Sequence, residues 1–282
     1  MHDITKIIDH IDRLKPIPKV AHRIMSIAED PLSSMADLAA VIQYDQAITA
    51  NILKVANSPY FGLRRKVDSI QQAITYLGMD QILDLVLIHV SGGNLKGEQK
   101  GYDLGIGELW RYSVSSAILA RRVAEIKKIR SSHIVFTAAL LKDIGKVVLS
   151  NYVGESLDEI ASLVSSQNIS FRQAEKAVIG IDHAELGRIV AKKWHFSERM
   201  EEMIGNHHLD DHWDEDDIEM CIIYLADTLC MMMGIGVGSD GLAYRFHRKV
   251  IQKLDLTEKD LQIIMASFVE KMQEVEDLVR EA

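Results

Sequence analysis

The 282-residue chain is 48% hydrophobic and 26% charged, a globular composition that excludes a disordered tail protein. Its 32 lysines and arginines against 41 acidic residues leave a net charge of −9, which argues against general binding to nucleic acid or an anionic membrane. The local basic cluster Arg64, Arg65 and Lys66 does not alter that balance.

The opening stretch MHDITKIIDHIDRLK is too charged for a signal peptide. The four prolines are Pro16, Pro18, Pro31 and Pro59, and the long proline-free remainder suits a succession of helices. Helix starts are signalled at Ser34/Asp37, Ser69/Gln72, Ser156/Glu159, Ser170/Gln173, Asp182/Glu185 and Thr257/Asp260. Each pair sets a capping oxygen three residues ahead of a group able to reach back. Apolar residues recur at helical spacing, as in Leu140, Leu141, Ile144, Val147 and Val148, which predicts one helix through LLKDIGK. Alternating strand patterns with hairpin dipeptides are absent.

The segment Asn57-Ser58-Pro59-Tyr60 reads as a helix stop and turn, with Tyr60 and Phe61 as anchors. Asn57, Ser58 and Tyr60 are also candidates for a surface presented to partners. Residues 91–108 hold six of the seventeen glycines, which predicts a loop or linker between two helical modules, 1–100 and 101–282. Gly234, Gly236, Gly238 and Gly241 mark another long connection. The weakly charged run Cys221–Gly238 is interrupted by Asp227 and is a poor membrane span. Its Met231–Met233 triplet reads as core filling. Cys221 and Cys230 read as buried free thiols of a reducing compartment, the cytoplasm. At the C-terminus, Leu261, Ile264, Met265, Phe268, Met272, Val275 and Leu278 form the stripe of an amphipathic helix that closes the bundle or forms an oligomer contact. The expected fold class is all-α, built as two packed helical modules.

Chemistry concentrates in the second module. Asp143, His183, the pair His207 and His208, and Asp227 lie on separate predicted helices. Imidazoles and carboxylates facing inward from several helices build transition-metal sites in helical bundles. The same residues also suit ordinary roles. His183 fits a helix terminus or a core position, His207 and His208 fit a polar helix end, as do His195 and His212, and Asp227 fits a local cap or pair.

The motifs LKPIPKVAHRIMSIAEDP (Leu14–Pro31), VIQYDQAITANILKVANSPYFG (Val41–Gly62) and SIQQAITYLGMDQI (Ser69–Ile82) resemble the HDOD family of bacterial signalling proteins. LWRYS (Leu109–Ser113), LLKDIGK (Leu140–Lys146), GIDHAELG (Gly180–Gly187) and NHH (Asn206–His208) extend the resemblance over nearly the whole chain. HDOD proteins are related to the HD-domain metal-dependent phosphohydrolases and the HD-GYP phosphodiesterases, so the resemblance implies that the second module is an HD-like bundle.

The departures bear on activity. Tyr112 and Lys142 stand where active relatives carry metal-ligand histidines, so one metal position has lost two ligands. The resemblance assigns Asp143, His183, His207 and His208 to the surviving position, and Asp227 to the lost one. A lysine ammonium can neutralise carboxylates where a divalent ion would sit, so Lys142 is expected to stabilise Asp143 and Asp227. Adjacent helical residues point about 100° apart, however, so Lys142 need not face Asp143 directly.

The resemblance therefore implies a non-catalytic regulatory protein working through signalling partners of bacterial pathways or by sensing a nucleotide ligand. It would carry at most one transition metal ion (iron, zinc or nickel), and neither nucleic acid nor membrane is an expected partner. The alternative is a phosphohydrolase acting on a nucleotide or cyclic dinucleotide through one remaining metal.

Overall fold

The computed structural model describes residues 3–30, 32–58, 61, 66–129, 132–209, 213–214, 216–243 and 247–280. Tyr60, Arg64, Arg65 and His212 lie outside them. The fold is all-α. In chain order the helices begin with α1 (Ile4–Asp9), α2 (Lys19–Glu29), α3 (Met35–Ile42), α4 (Gln46–Ala56), α5 (Ile70–Leu77) and α6 (Met79–Leu95). Next come α7 (Glu108–Ile126), α8 (Ser132–Leu141), α9 (Ile144–Glu155), α10 (Leu157–Gln167) and α11 (Phe171–Ile179). The last are α12 (His183–Lys193), α13 (Glu198–Gly205), α14 (Ile218–Met232), α15 (Arg248–Leu254) and α16 (Glu258–Arg280). Among the described residues the β structure is one isolated bridge, Gln99 with Leu104. No single helix among them is long and apolar enough to cross a membrane.

The caps explain where several helices start. Ser34/Asp37, Ser170/Gln173 and Asp182/Glu185 form reciprocal capping boxes, and Thr257 and Asp260 exchange the same bonds ahead of α16. Each satisfies amide donors that the first helical turn leaves without partners. Ser69 caps α5 through the Gln72 amide, while the Gln72 side chain reaches past it to the Asp68 amide. Ser156 makes no side-chain capping bond to α10.

The chain forms two compact units, each discontinuous in sequence: residues 17–92 with 266–282, and residues 1–16 with 93–265. The first has a core of Ile24, Leu38, Ile42, Ile52, Ile74 and Leu83. In its Asn57 turn the side-chain amide donates to the carbonyls of Leu53 and Val67, both at 2.8 Å, and the side-chain oxygen accepts from the Val67 amide at 2.7 Å. The exposed Asn57 is thus fastened to its own turn. Within α16, Ile264, Phe268 and Met272 are buried.

In the second unit α7 packs against α8 and α14, and α12 against α13 and α9. Cys221 and Cys230 are free and buried on α14; burial pushes the Cys221 thiol up to about 12. Met232, expected in the core with its neighbours, is 71% exposed at the end of that helix.

Two further expectations are corrected. The loop expected over residues 91–108 is shorter and more ordered: α6 continues to Leu95, and Gln99–Leu104 closes a tight turn with Tyr102 buried. The glycine at 101 is required by proximity, since a Cβ there would lie 2.0 Å from the Ser150 carbonyl oxygen. The second glycine-rich segment is the expected long connection, between α14 and α15, and it packs closely, Gly236 against Tyr112 and Gly238 against the Tyr102 carbonyl. Finally, LLKDIGK is not one helix. α8 ends at Leu141 and α9 starts at Ile144, so Lys142 and Asp143 lie in the break, free of the helical offset, and both point inward.

Candidate metal centre

Eight segments of the second unit converge on one buried polar site, and a ninth adjoins it at Asp240. Tyr102 comes from the tight turn, Tyr112 from α7, Lys142 and Asp143 from the break, and Lys146 from the first turn of α9. Glu175 lies on α11, His183 opens α12, His207 and His208 follow α13, and Asp227 lies on α14. The approach of α9 to α12 depends on Gly145, while Gly187 faces it at ordinary contact distance. A Cβ on Gly145 would lie 2.0 Å from the His183 carbonyl oxygen, and one on Gly187 would lie 3.4 Å from the Lys142 carbonyl oxygen. Backbone rests on backbone there, bringing Asp143 up to His183.

The ligating atoms of His183, His207 and His208 all lie within 4.8 Å of one another. Nδ1 of His183 is 2.7 Å from Glu175 Oε2, which also accepts from the His183 amide at 2.8 Å. A carboxylate only accepts, so Nδ1 carries a proton and Nε2 faces the cluster. Burial works against a charged His183, but the Glu175 carboxylate outweighs it and raises the ring's pKa. Behind Glu175, the buried Tyr102 hydroxyl donates to Oε1.

Nδ1 of His207 donates to the Ile204 carbonyl at 2.8 Å, which likewise leaves its Nε2 as the acceptor. That Nε2 is buried without a hydrogen-bond partner among the described residues. Burial pushes the His207 pKa down to about 3. His208 places Nε2 2.8 Å from Nε2 of His183; burial, with His207 and His183 beside it, holds its pKa well below the usual value. Acceptors that fix the outer nitrogen of an imidazole are the usual support of a metal-binding histidine. The orphaned Nε2 and the three converging imidazoles fit one transition metal ion.

The carboxylates are differently engaged. Oδ1 of Asp143 lies 3.9 Å from Nε2 of both His183 and His207, but is 2.8 Å from the Lys146 ammonium. Oδ2 pairs with Lys142. Burial alone would raise the Asp143 pKa; the two ammonium groups hold it well below the carboxylate range. Lys142 Nζ also lies 2.6 Å from Asp227 Oδ1, which accepts from the Tyr112 hydroxyl at 2.6 Å. Lys146 extends the network to Asp240 at 2.6 Å.

The structure therefore brings together Tyr112, Lys142, Asp143, His183, His207, His208 and Asp227. Four members were not singled out in the sequence. Lys146 stands three residues from Asp143 in the same motif, and Glu175 eight residues before His183, so both had a legible signal. Tyr102 and Asp240 lie in glycine-rich segments and had none.

The sequence model of the HDOD domain family matches residues 14–209. The chain belongs to the HDOD family. The match includes the imidazole cluster, Lys142 and Tyr112, and stops short of Asp227 and Asp240. An HDOD domain protein of unknown function from Geobacter sulfurreducens is 25% identical, with a TM-score of 0.74 over 98% of this chain and 99% of that one. A Marinobacter aquaeolei VT8 structure, provisionally named a signal transduction protein, shares 20% identity and a TM-score of 0.72 over 96% of this HDOD chain and 60% of its own. A structure from Shewanella amazonensis SB2B, provisionally named a metal-dependent phosphohydrolase, shares 19% identity and a TM-score of 0.56 over 96% and 97% of the two chains. An uncharacterized protein of Treponema pallidum (strain Nichols) is 25% identical over 202 residues, which are 72% of this HDOD chain and 39% of that relative.

Proposed function

We propose that this HDOD chain is a non-catalytic regulatory module of bacterial cytoplasmic signalling, acting through protein partners and holding one transition metal ion at His183, His207 and His208. The observation that carries the reading is the Lys142 ammonium between Asp143 and Asp227. Two-metal phosphodiester hydrolysis needs a second cation to activate water and take up phosphoryl charge. Here a lysine fills that place, and lysine cannot bind water as a Lewis acid.

The charge balance favours a single dication. Asp143, Asp227, Asp240 and Glu175 oppose Lys142 and Lys146, leaving two negative charges when the imidazoles are neutral. Asp182, beside His183, is balanced by Arg172 at 3.4 Å. One divalent ion brings the site to neutrality; a second would overcharge a buried region. Asp143 would join as a ligand by releasing Lys146 from Oδ1. Iron, zinc or nickel suits the imidazole set, and the ion would supply a Lewis-acid centre.

The solved neighbours carry names of both kinds, so the side chains of this chain are what separate the readings. Elemental analysis of the purified protein and of the His207→Ala/His208→Ala variant tests the metal: about one transition metal per chain, lost in the variant, is expected. Turnover assays with cyclic dinucleotides and nucleotides complete the test. Hydrolysis that depends on the bound ion would replace this reading with a single-metal phosphohydrolase, and saturable nucleotide binding without turnover would make the module a nucleotide sensor.

A further inference from the structure

His207 and His208 do not stand on a helix. α13 ends at Gly205, and the pair sits in the turn Asn206–Leu209, closed by the Leu209 amide on the Asn206 carbonyl at 2.9 Å. Leu209 is buried there with a φ of 54°. That left-handed conformation is costly for a bulky residue and persists only where its surroundings hold it. Part of the hold comes from α12. Arg188 donates from Nη2 to the side-chain oxygen of Asn206 at 2.6 Å. Its guanidinium lies against Gly205, where a Cβ would stand 2.3 Å from Nε. Among the described residues that amide oxygen is the one acceptor Arg188 has, and its Nε is buried without a partner.

We propose that Arg188 is a positioning residue for the imidazole cluster: it ties the Asn206–Leu209 turn to α12, so that the helix opening with His183 also sets where His207 and His208 stand. The inference rests on the single-metal reading above and deepens it by naming what holds two of the three ligands. A guanidinium bonded to a neutral oxygen, with a buried donor left over, adds little stability; what the contact fixes is the place of the turn. Charge alone predicts the opposite sign. Removing a cation near a metal site should strengthen binding of a dication, whereas loosening the support of its ligands should weaken it. Gly205 separates position from stability in the same way, because alanine there would displace the guanidinium yet favours a helix over glycine.

The test is Co2+ binding to the full chain, read by competition with a chromophoric chelator and by the visible absorption bands that report Co2+ geometry. Arg188→Met, Asn206→Ala and the double variant are expected to bind Co2+ about 10-fold more weakly than wild type, with altered bands. The double variant should lose no more than either single one, since both break one contact. Arg188→Lys, which can still donate to Asn206, should recover part of the affinity. Gly205→Ala should bind as weakly as Arg188→Met while melting at or above the wild-type temperature. Wild-type affinity and bands in Arg188→Met, or losses that add in the double variant, would overturn the proposal.

If Arg188→Met does not fold, Gly205→Ala decides, and wild-type affinity in it overturns the proposal. The two readings fail separately. A wild-type chain that takes up no Co2+ ends the single-metal reading, and the Nδ1 proton of His207, which is held by the Ile204 carbonyl, then decides this inference by NMR. In metal-free Arg188→Met that proton should exchange with solvent faster than in wild type; an equal rate would overturn the positioning role.

Discussion

The carbonyl oxygen of His183 occupies the space that a side chain on Gly145 would need, 2.0 Å from where its Cβ would stand. The obstructing atom is backbone, so it cannot rotate away as a side chain could. Gly145→Ala is expected to cost about 1–3 kcal/mol through overpacking and to draw Asp143 away from His183. Urea denaturation measures the first effect, and metal content per chain the second. An alanine variant with wild-type stability would mean that the two helices do not meet as described.

Glu175 orients His183 through its ring and its amide. Glu175→Gln keeps the shape and removes the charge that supports the ring. Metal affinity is expected to fall about 10-fold or more, read by competition with a chromophoric chelator. Helical content by circular dichroism should stay as in wild type, separating a positioning effect from unfolding.

Tyr102 donates its hydroxyl to the other oxygen of Glu175. Tyr102→Phe leaves a buried carboxylate oxygen without that donor, at an expected cost of about 1–3 kcal/mol. Chemical denaturation checks it. Tyr102→Phe and Glu175→Gln should be non-additive, because both act on one hydrogen-bond chain.

Away from the site, Arg199 binds Asp217 through two bonds of 2.7 and 2.5 Å and Glu219 at 2.8 Å. Burial would raise the Asp217 pKa, but the Arg199 bonds outweigh it and lower it. A lowered folded-state pKa gives stability that is complete above the unfolded value of about 4 and is lost as pH falls through the folded value. Asp217→Asn should therefore be less stable than wild type by about 1 kcal/mol at pH 7, a modest figure because the arginine is partly exposed. The gap should narrow as pH falls below the unfolded value of about 4 and through the lower folded one; a gap independent of pH in paired denaturation curves would reject the assignment.

Much of the fold was legible because capping is local. Ser170/Gln173 and Asp182/Glu185 are fixed by residues three apart, and the seven site residues were readable as chemistry and family motif together. The break at Lys142 was hidden because Leu140, Leu141 and Ile144 continue a helical pattern on either side of it. The loop within residues 91–108 was legible but its close packing was not, since sequence does not distinguish a glycine needed for flexibility from one needed for close approach; Gly101 is the second kind. Tyr102 and Asp240 were invisible because their partners are distant in sequence.

Lys142 also sets how the site responds to its surroundings. An ion held by imidazoles exchanges with the solution, and its occupancy follows supply, chelation and dilution. A charge tethered to the backbone does none of these, because its effective concentration is fixed by the chain. If the imidazole cluster holds the proposed ion, one side of Asp143 faces an exchangeable position and the other a permanent one, so starvation for metal would empty the first and leave the second filled.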